Sequence, residues 1–289
     1  MLYQHYIDNA ELDRQVLFGG ENVTLEKILK DNQEYFDKLP PKLLSVGSDA
    51  KTVKGEKINV ATAIMYLAQA DMLTKKTLCA FADLAGCKND CLIHAGRLGM
   101  KHATRAIIRR TLLYLYQREM FDSMLKNEIM QLSFEHGDKL AVRLNGTSDI
   151  DFEYMIKEFK NVQFYDYTKI LPRVSNNKLK NYDLTYSFSP YSRKSLEHGR
   201  KAVKKKFKIA VAFNTKNSKG DTFKIPLKLF GKKIVSFDDT DARFLDKESS
   251  IGYLTRKGSS VKVRQAENKI KDSFFITEAN LKELQNLLP

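Results

Sequence analysis

Short apolar, strand-like runs alternate with more polar, helix-like stretches through the middle of the chain. KLAVRLNG (139–146), NVQFYDY (161–167), YDLTYSFS (182–189), FKIAVAFN (207–214) and KKIVSFDD (232–239) are rich in β-branched and aromatic residues. Each is bounded by turn-forming residues, which is the signature of a strand. Between them lie DIDFEYMIKEF (149–159), with Asp149 placed to cap it, and SRKSLEHGRKAVK (192–204), both with helical spacing of apolar positions. Strands separated by helices of about ten residues imply crossover connections and a mainly parallel sheet. The expected fold class is α/β, as a partial (β/α) barrel or an open, mainly parallel sheet with an N-terminal helical accessory segment.

The flanks refine this picture. Thr24 to Lys38 predicts a helix with Thr24 as N-cap, stopped by Pro40 and Pro41. From Ile58 the pattern changes, and NVATAIMYLAQA reads as a strand. A long helical region follows from Lys101 to Phe134, with Ala103, Ile107, Leu112, Leu115 and Tyr116 on its apolar face and a break near Glu119. TEANLKELQNLL reads as a last helix capped by Thr277. The organisation expected is an accessory segment (1–54), an α/β core (55–245) and a C-terminal extension (246–289), with no internal repeat.

Charge narrows the partners. The chain carries 49 Lys and Arg against 35 Asp and Glu, a formal net charge of +14. Such an excess favours nucleic acid or another polyanion, although a Lys-rich surface also serves solubility alone. The most basic stretch supplies Arg193, Lys194, Arg200, Lys201, Lys204, Lys205 and Lys206, a face suited to phosphates or simply to water. No run of about 18 apolar residues occurs, so no membrane span is expected. The polar, acidic start does not resemble a secretory leader, so a cytoplasmic location is expected.

All three cysteines, Cys79, Cys87 and Cys91, fall in one window with the spacing C-x7-C-x3-C, and His94 follows. A disulfide framework would show an even count spread along the chain. Three readings stay open. Zinc would take Cys79, Cys87, Cys91 and His94 as a closed tetrahedron. An iron–sulfur cluster would take the three thiolates and leave one iron open. Packing as three small apolar side chains needs no ligand.

Two strand ends carry further chemistry. In RLNGTSD (143–149) the amides of Gly146, Thr147 and Ser148 at a helix start suit an anion, with Asn145 and Asp149 bonding polar ligand groups. An ordinary strand–turn–helix with an Asp cap has the same sequence. In FYDYTK (164–169) Asp166 and Lys169 suit an acid–base or ion pair, and Tyr165 and Tyr167 suit base stacking or plain core-and-surface alternation. SFDDTDARFLD groups Asp238, Asp239, Asp241 and Asp246 with Arg243, a set for a divalent cation or for an acidic loop with an arginine pair.

The cysteine segment, after a first strand and before a long helix, resembles the first loop of the radical S-adenosylmethionine enzymes, whose usual spacing is C-x3-C-x2-C. That resemblance implies an iron–sulfur cluster and S-adenosylmethionine as cofactors. The combination of the cysteines, AGR (95–97), TRAIIRRT (104–111), VRLNGTSDIDFE (142–153), FYDYTK, NYDLTYSFS, DDTDARFLD and GYLTRKG (252–258) is similar to an uncharacterised protein family of bacteriophages and mobile elements. It implies a partial-barrel type of fold and a place in the cytoplasm of a bacterial host. The expected function is a phage metalloprotein. One form is an iron–sulfur enzyme acting on nucleic acid or a nucleotide, with Asp149, Asp166 and Lys169 as catalytic groups. The other is a nucleic-acid-binding protein with a structural zinc, serving phage replication or host takeover.

Overall fold

The computed structural model describes residues 1–47, 55, 58–88, 91, 96–215, 222–256 and 274–287. The chain forms two compact units, one of residues 1–79 and 92–163, the other of residues 80–91 and 164–289. In chain order the first elements are helix α1 (Leu2–Asn9), strands β1 (Gln15–Phe18) and β2 (Glu21–Thr24), helices α2 (Leu25–Lys30) and α3 (Gln33–Phe36), and strands β3 (Leu44–Val46) and β4 (Ala61–Met65). Next come helices α4 (Ala82–Ala85), α5 (Lys101–Tyr116) and α6 (Arg118–His136), strand β5 (Leu140–Arg143), helix α7 (Glu153–Ile156), strand β6 (Gln163–Thr168) and helix α8 (Leu171–Asn176). The last are strand β7 (Tyr182–Phe188), helix α9 (Arg193–Lys204), strands β8 (Ile209–Phe213), β9 (Lys228–Leu229), β10 (Lys232–Ser236) and β11 (Ile251–Thr255), and helix α10 (Glu278–Leu287).

In the first unit β1 and β2 form an antiparallel hairpin. Its turn is Gly19 and Gly20, with φ of 64° and 96°, the two positive values that a tight hairpin turn demands. β3 pairs antiparallel with β4, and β4 runs parallel to β5 with Ala61 opposite Leu140. Every residue of β5 is buried, as in a parallel strand covered on both faces. The crossover helix α5 buries Ile107, Ile108, Leu112 and Leu113.

Two local expectations change here. The helix expected over 24–38 is two short helices. Thr24 does cap the first, its hydroxyl accepting the Lys27 amide at 3.3 Å. Asn32 then interrupts it: its carboxamide donates to the Ile28 carbonyl at 2.8 Å, and its φ is −134°. The break expected near Glu119 falls at Gln117, with φ −138° and ψ 54°. The helix expected from Asp149 begins instead at Glu153, with Phe152 at its N-cap. Asp149 lies in a parallel bridge with Cys79, and the Ile150 amide is held by Asn145, so the chain stays extended through these residues.

The second unit has the strand order β6-β7-β8-β11-β10-β9. β6 to β7, β7 to β8, β8 to β11 and β11 to β10 are parallel, and only β9 is antiparallel. The order therefore reverses once: the chain skips a place to lay down β10, then returns with β11 to fill it. β11 lies in the stretch read from sequence as a mixed extension. Its Gly252 permits close packing, since a Cβ there would meet the Phe237 ring at 2.1 Å. The core of this unit includes Tyr186, Phe188, Ile209, Val211, Phe213, Ile251 and Ile276. Of the two architectures expected, the open mainly parallel α/β sheet is the one observed.

Candidate functional site

In the first unit, the carboxyl ends of β4 and β5 gather six of the residues singled out from sequence. The Gly146 amide donates to the Met65 carbonyl at 2.9 Å. A Cβ on Gly146 would lie 2.6 Å from that same oxygen, so only glycine permits the approach. The Asn145 carboxamide closes the loop. Its oxygen accepts the Ile150 amide at 2.7 Å and the Ser148 hydroxyl at 2.9 Å, and its nitrogen donates to the Ile150 carbonyl at 3.0 Å. Thr147 donates its hydroxyl to the Leu67 carbonyl. Cys79 stands alongside, its sulfur accepting the Ala70 amide at 3.3 Å and lying 3.8 Å from the Thr147 carbonyl. The Asp149 amide donates to the Leu78 carbonyl at 3.0 Å. The anion cradle expected at a helix start loses two of its parts: the Gly146 amide is engaged, and the helix starts later.

The cysteines divide between the units: Cys79 belongs to the first, Cys87 and Cys91 to the second. Each is half-buried, and none of the three is in a disulfide. Cys87 follows α4, whose end is set by Gly86 at φ 66° against the Tyr191 ring. His94 lies outside the described residues. Among the described residues no three His, Cys, Asp or Glu side chains gather in a group that could hold a metal ion.

In the second unit, Asp166 and Lys169 do different things. Asp166 is buried and accepts the Tyr182 hydroxyl at 3.0 Å, and Arg173 donates to that same hydroxyl at 3.0 Å. Lys169 donates to the Ser187 hydroxyl at 3.0 Å and lies 4.3 Å above the Phe274 ring. Tyr165 is buried against Phe244, with ring centroids 5.5 Å apart, which is a core role.

The seven basic residues come together on α9 and its end. Ser195, Gly199 and Ala202 form the buried side of this helix. A Cβ on Gly199 would sit 2.4 Å from the Phe188 ring, so the helix packs at near-backbone distance on β7. Arg193, Lys194, Arg200, Lys201, Lys204, Lys205 and Lys206 are all exposed. Glu197 is the helix's single carboxylate and pairs with Arg193 at 3.6 Å. His198 lies beside Phe81, with ring centroids 5.9 Å apart; burial, then the charges of Lys194 and Lys201, push its pKa down.

The acidic group resolves into an arginine pair. Arg243 is buried, stacks 3.8 Å from the Phe237 ring and pairs with Asp246 at 3.0 Å. Lys208 reaches Asp183 at 2.7 Å and the Arg243 carbonyl. Asp238 accepts the Thr255 amide at 2.9 Å and hydroxyl at 2.6 Å. Burial pushes the Asp246 carboxyl pKa up, against the pull of Arg243 and Lys208.

Sequence reasoning missed the Phe274, Phe275 and Arg256 group. Phe274 and Phe275 stack edge to face at 5.0 Å, and the Arg256 guanidinium lies 5.0 Å from the Phe275 ring. The signal that could have found it was the doublet FF (274–275), where the pattern turns from polar to apolar before TEANLKELQNLL, but nothing local ties it to β8. The tie is long-range: Phe213 and Ile276 form a parallel bridge.

No described helix is long and apolar enough to cross a membrane. No curated protein and no solved structure matches the chain. The model of a protein family described as Gene product 88 matches residues 42–274, well over half of the sequence and parts of both units. The chain belongs to the Gene product 88 family, a phage-type family.

Proposed function

We propose that this protein binds nucleic acid through the outward face of α9. The observation that carries the reading is the segregation of that helix. Its small residues pack on β7, and seven exposed cations face away with a single carboxylate among them. Cations held in fixed array on a helix displace counterions from phosphates, and this gives affinity that falls steeply with salt. The +14 net charge of the whole chain adds long-range attraction to the same partner. The test is fluorescence anisotropy with labelled oligonucleotides over a salt series. The triple variant Lys201→Glu, Lys204→Glu, Lys205→Glu should weaken binding strongly and flatten the salt slope. Equal affinity of variant and wild type would sink the reading.

A second reading is a metal centre at the cysteines, in its fuller form an iron–sulfur enzyme that uses S-adenosylmethionine, with zinc as the alternative ion. What favours it is Cys79: its sulfur accepts a backbone N–H and stands at the carboxyl ends of β4 and β5, where parallel α/β folds bind ligands. Anaerobic purification followed by elemental analysis decides it. Brown protein with iron and sulfide supports the cluster, colourless protein with one zinc supports the structural ion, and metal-free protein ends the reading.

A further inference from the structure

We infer that the carboxyl-end crest of the second unit's sheet takes unpaired nucleotides, so that the nucleic acid held by this protein is single-stranded; this rests on the nucleic-acid reading above. Five of the described strands run parallel and end there, and four of them carry a donor at or next to their ends. Lys169 comes just after β6, Ser187 is the penultimate residue of β7, Asn214 comes just after β8 and Arg256 just after β11. The reversal in strand order falls at this place, because β11 returns to lie beside β8. Ligands of open α/β sheets bind at such a reversal, outside the carboxyl ends.

Two aromatic rings complete the crest. Residues 274–276 run along the end of β8: the Ile276 amide donates to the Ala212 carbonyl at 2.8 Å, and the Asn214 amide donates to the Ile276 carbonyl at 3.0 Å. Phe275 is 7% exposed and acts as the anchor, while Phe274 is only half-buried. Lys169 stands 4.3 Å from the Phe274 ring, and Arg256 stands 5.0 Å from the Phe275 ring. A cation over one face of a ring leaves the opposite face to a base and its own charge to the phosphate, a pairing that holds a nucleotide. In a duplex the base faces are covered by their neighbours, so Phe274 gains nothing from paired strands. The α9 face has looser cation–ring pairs, Lys194 at 6.0 Å from the Phe81 ring and Lys205 at 5.9 Å from the Phe207 ring. It begins after a four-residue turn from β7, so its first cations, Arg193 and Lys194, start from this same end of the sheet.

The test compares a labelled oligothymidylate with a duplex of equal length, using the full chain. Wild type should prefer the single strand. Phe274→Ala should weaken single-strand binding roughly tenfold or more, the loss expected for one stacked base, and leave duplex binding unchanged. Phe274→Tyr should restore the single-strand affinity. Unchanged single-strand affinity in Phe274→Ala, or an equal loss for both ligands, overturns the inference. A wild-type preference for duplex that is lost in the α9 triple variant also overturns it while the reading of α9 stands. Binding of neither ligand overturns both. Should Phe274→Ala fail to fold, Lys169→Gln carries the comparison: weaker single-strand binding supports the crest, and unchanged binding overturns it.

Discussion

The Ser189 hydroxyl donates to the Ala85 carbonyl at 2.7 Å, tying the end of β7 to the short helix that precedes Cys87. Ser189 is fully buried, and its oxygen also accepts the Tyr191 amide at 3.2 Å. Ser189→Ala leaves both backbone groups without this partner. It should cost about 1–3 kcal/mol in urea unfolding. Loosening the Ala82–Ala85 helix should also speed the reaction of Cys87 with a thiol reagent, followed in a Cys79→Ala, Cys91→Ala background. An unchanged thiol rate would show that this bond does not hold the segment.

Glu128 joins β3 to α6. Its carboxylate accepts the Leu43 amide at 2.6 Å and the Leu44 amide at 2.9 Å. Burial raises its pKa by more than those two amides and Arg110 lower it. The folded chain therefore holds this proton more tightly than the unfolded chain, where Glu titrates near ~4.3. Ionisation costs stability as pH rises from that value through the raised folded pKa, and the loss is complete above it. Glu128→Gln does not ionise. The urea midpoint of wild type relative to the variant should fall across this window and then level off; a difference that stays flat from about pH 4 to pH 7 would contradict the assignment.

Among the described residues Arg243 is the largest fully buried side chain, and its carbonyl receives Lys208 at the start of β8, the end of the sheet opposite Lys169. Removing Arg243 strands Asp246 and takes the packed face from Phe237. Arg243→Ala should destabilise by about 3–5 kcal/mol, the usual cost of removing one member of a buried pair. Asp246→Asn should cost less, because burial already biases that carboxyl toward its neutral form. Equal losses in urea titrations would reverse this ranking.

Gly199 sets the distance between α9 and β7. Gly199→Ala forces a methyl against the Phe188 ring, where the approach would be 2.4 Å. The expected loss is about 1–3 kcal/mol by overpacking, although alanine is the better helix former. A rise in melting temperature would mean that the ring swings aside.

Much of the fold was legible because its signals are local. The strands from Leu140 to Ser236 show as short runs rich in β-branched and aromatic residues, and the caps expected at Thr24 and Thr277 hold: Thr24 accepts the Lys27 amide at 3.3 Å, and Thr277 accepts the Asn280 amide at 3.4 Å. The hairpin at Gly19 and Gly20 carried a turn signal that its mixed, polar strands obscured. Asp149 reads as a helix cap only if the next residues are free to coil, and a bridge to Cys79, far away in sequence, prevents it. β11 was illegible for the same reason. IGYLT lies in a stretch of mixed pattern, and its place is fixed by β8 and β10 on either side. The basic face was readable as a run of charge, whereas Lys169 with Phe274 depended on a contact between residues distant in sequence.

The late arrival of β11 has a consequence for synthesis. Among the described strands β10 pairs with the rest of the parallel sheet through β11, so while the ribosome is still short of Ile251 the hairpin Lys228–Ser236 has no parallel strand to pair with. The order of assembly thus differs from the order of translation. A nascent chain cut just before Ile251 would present two open strand edges at once, one on β8 and one on β10, and would be the form most exposed to mispairing and proteolysis.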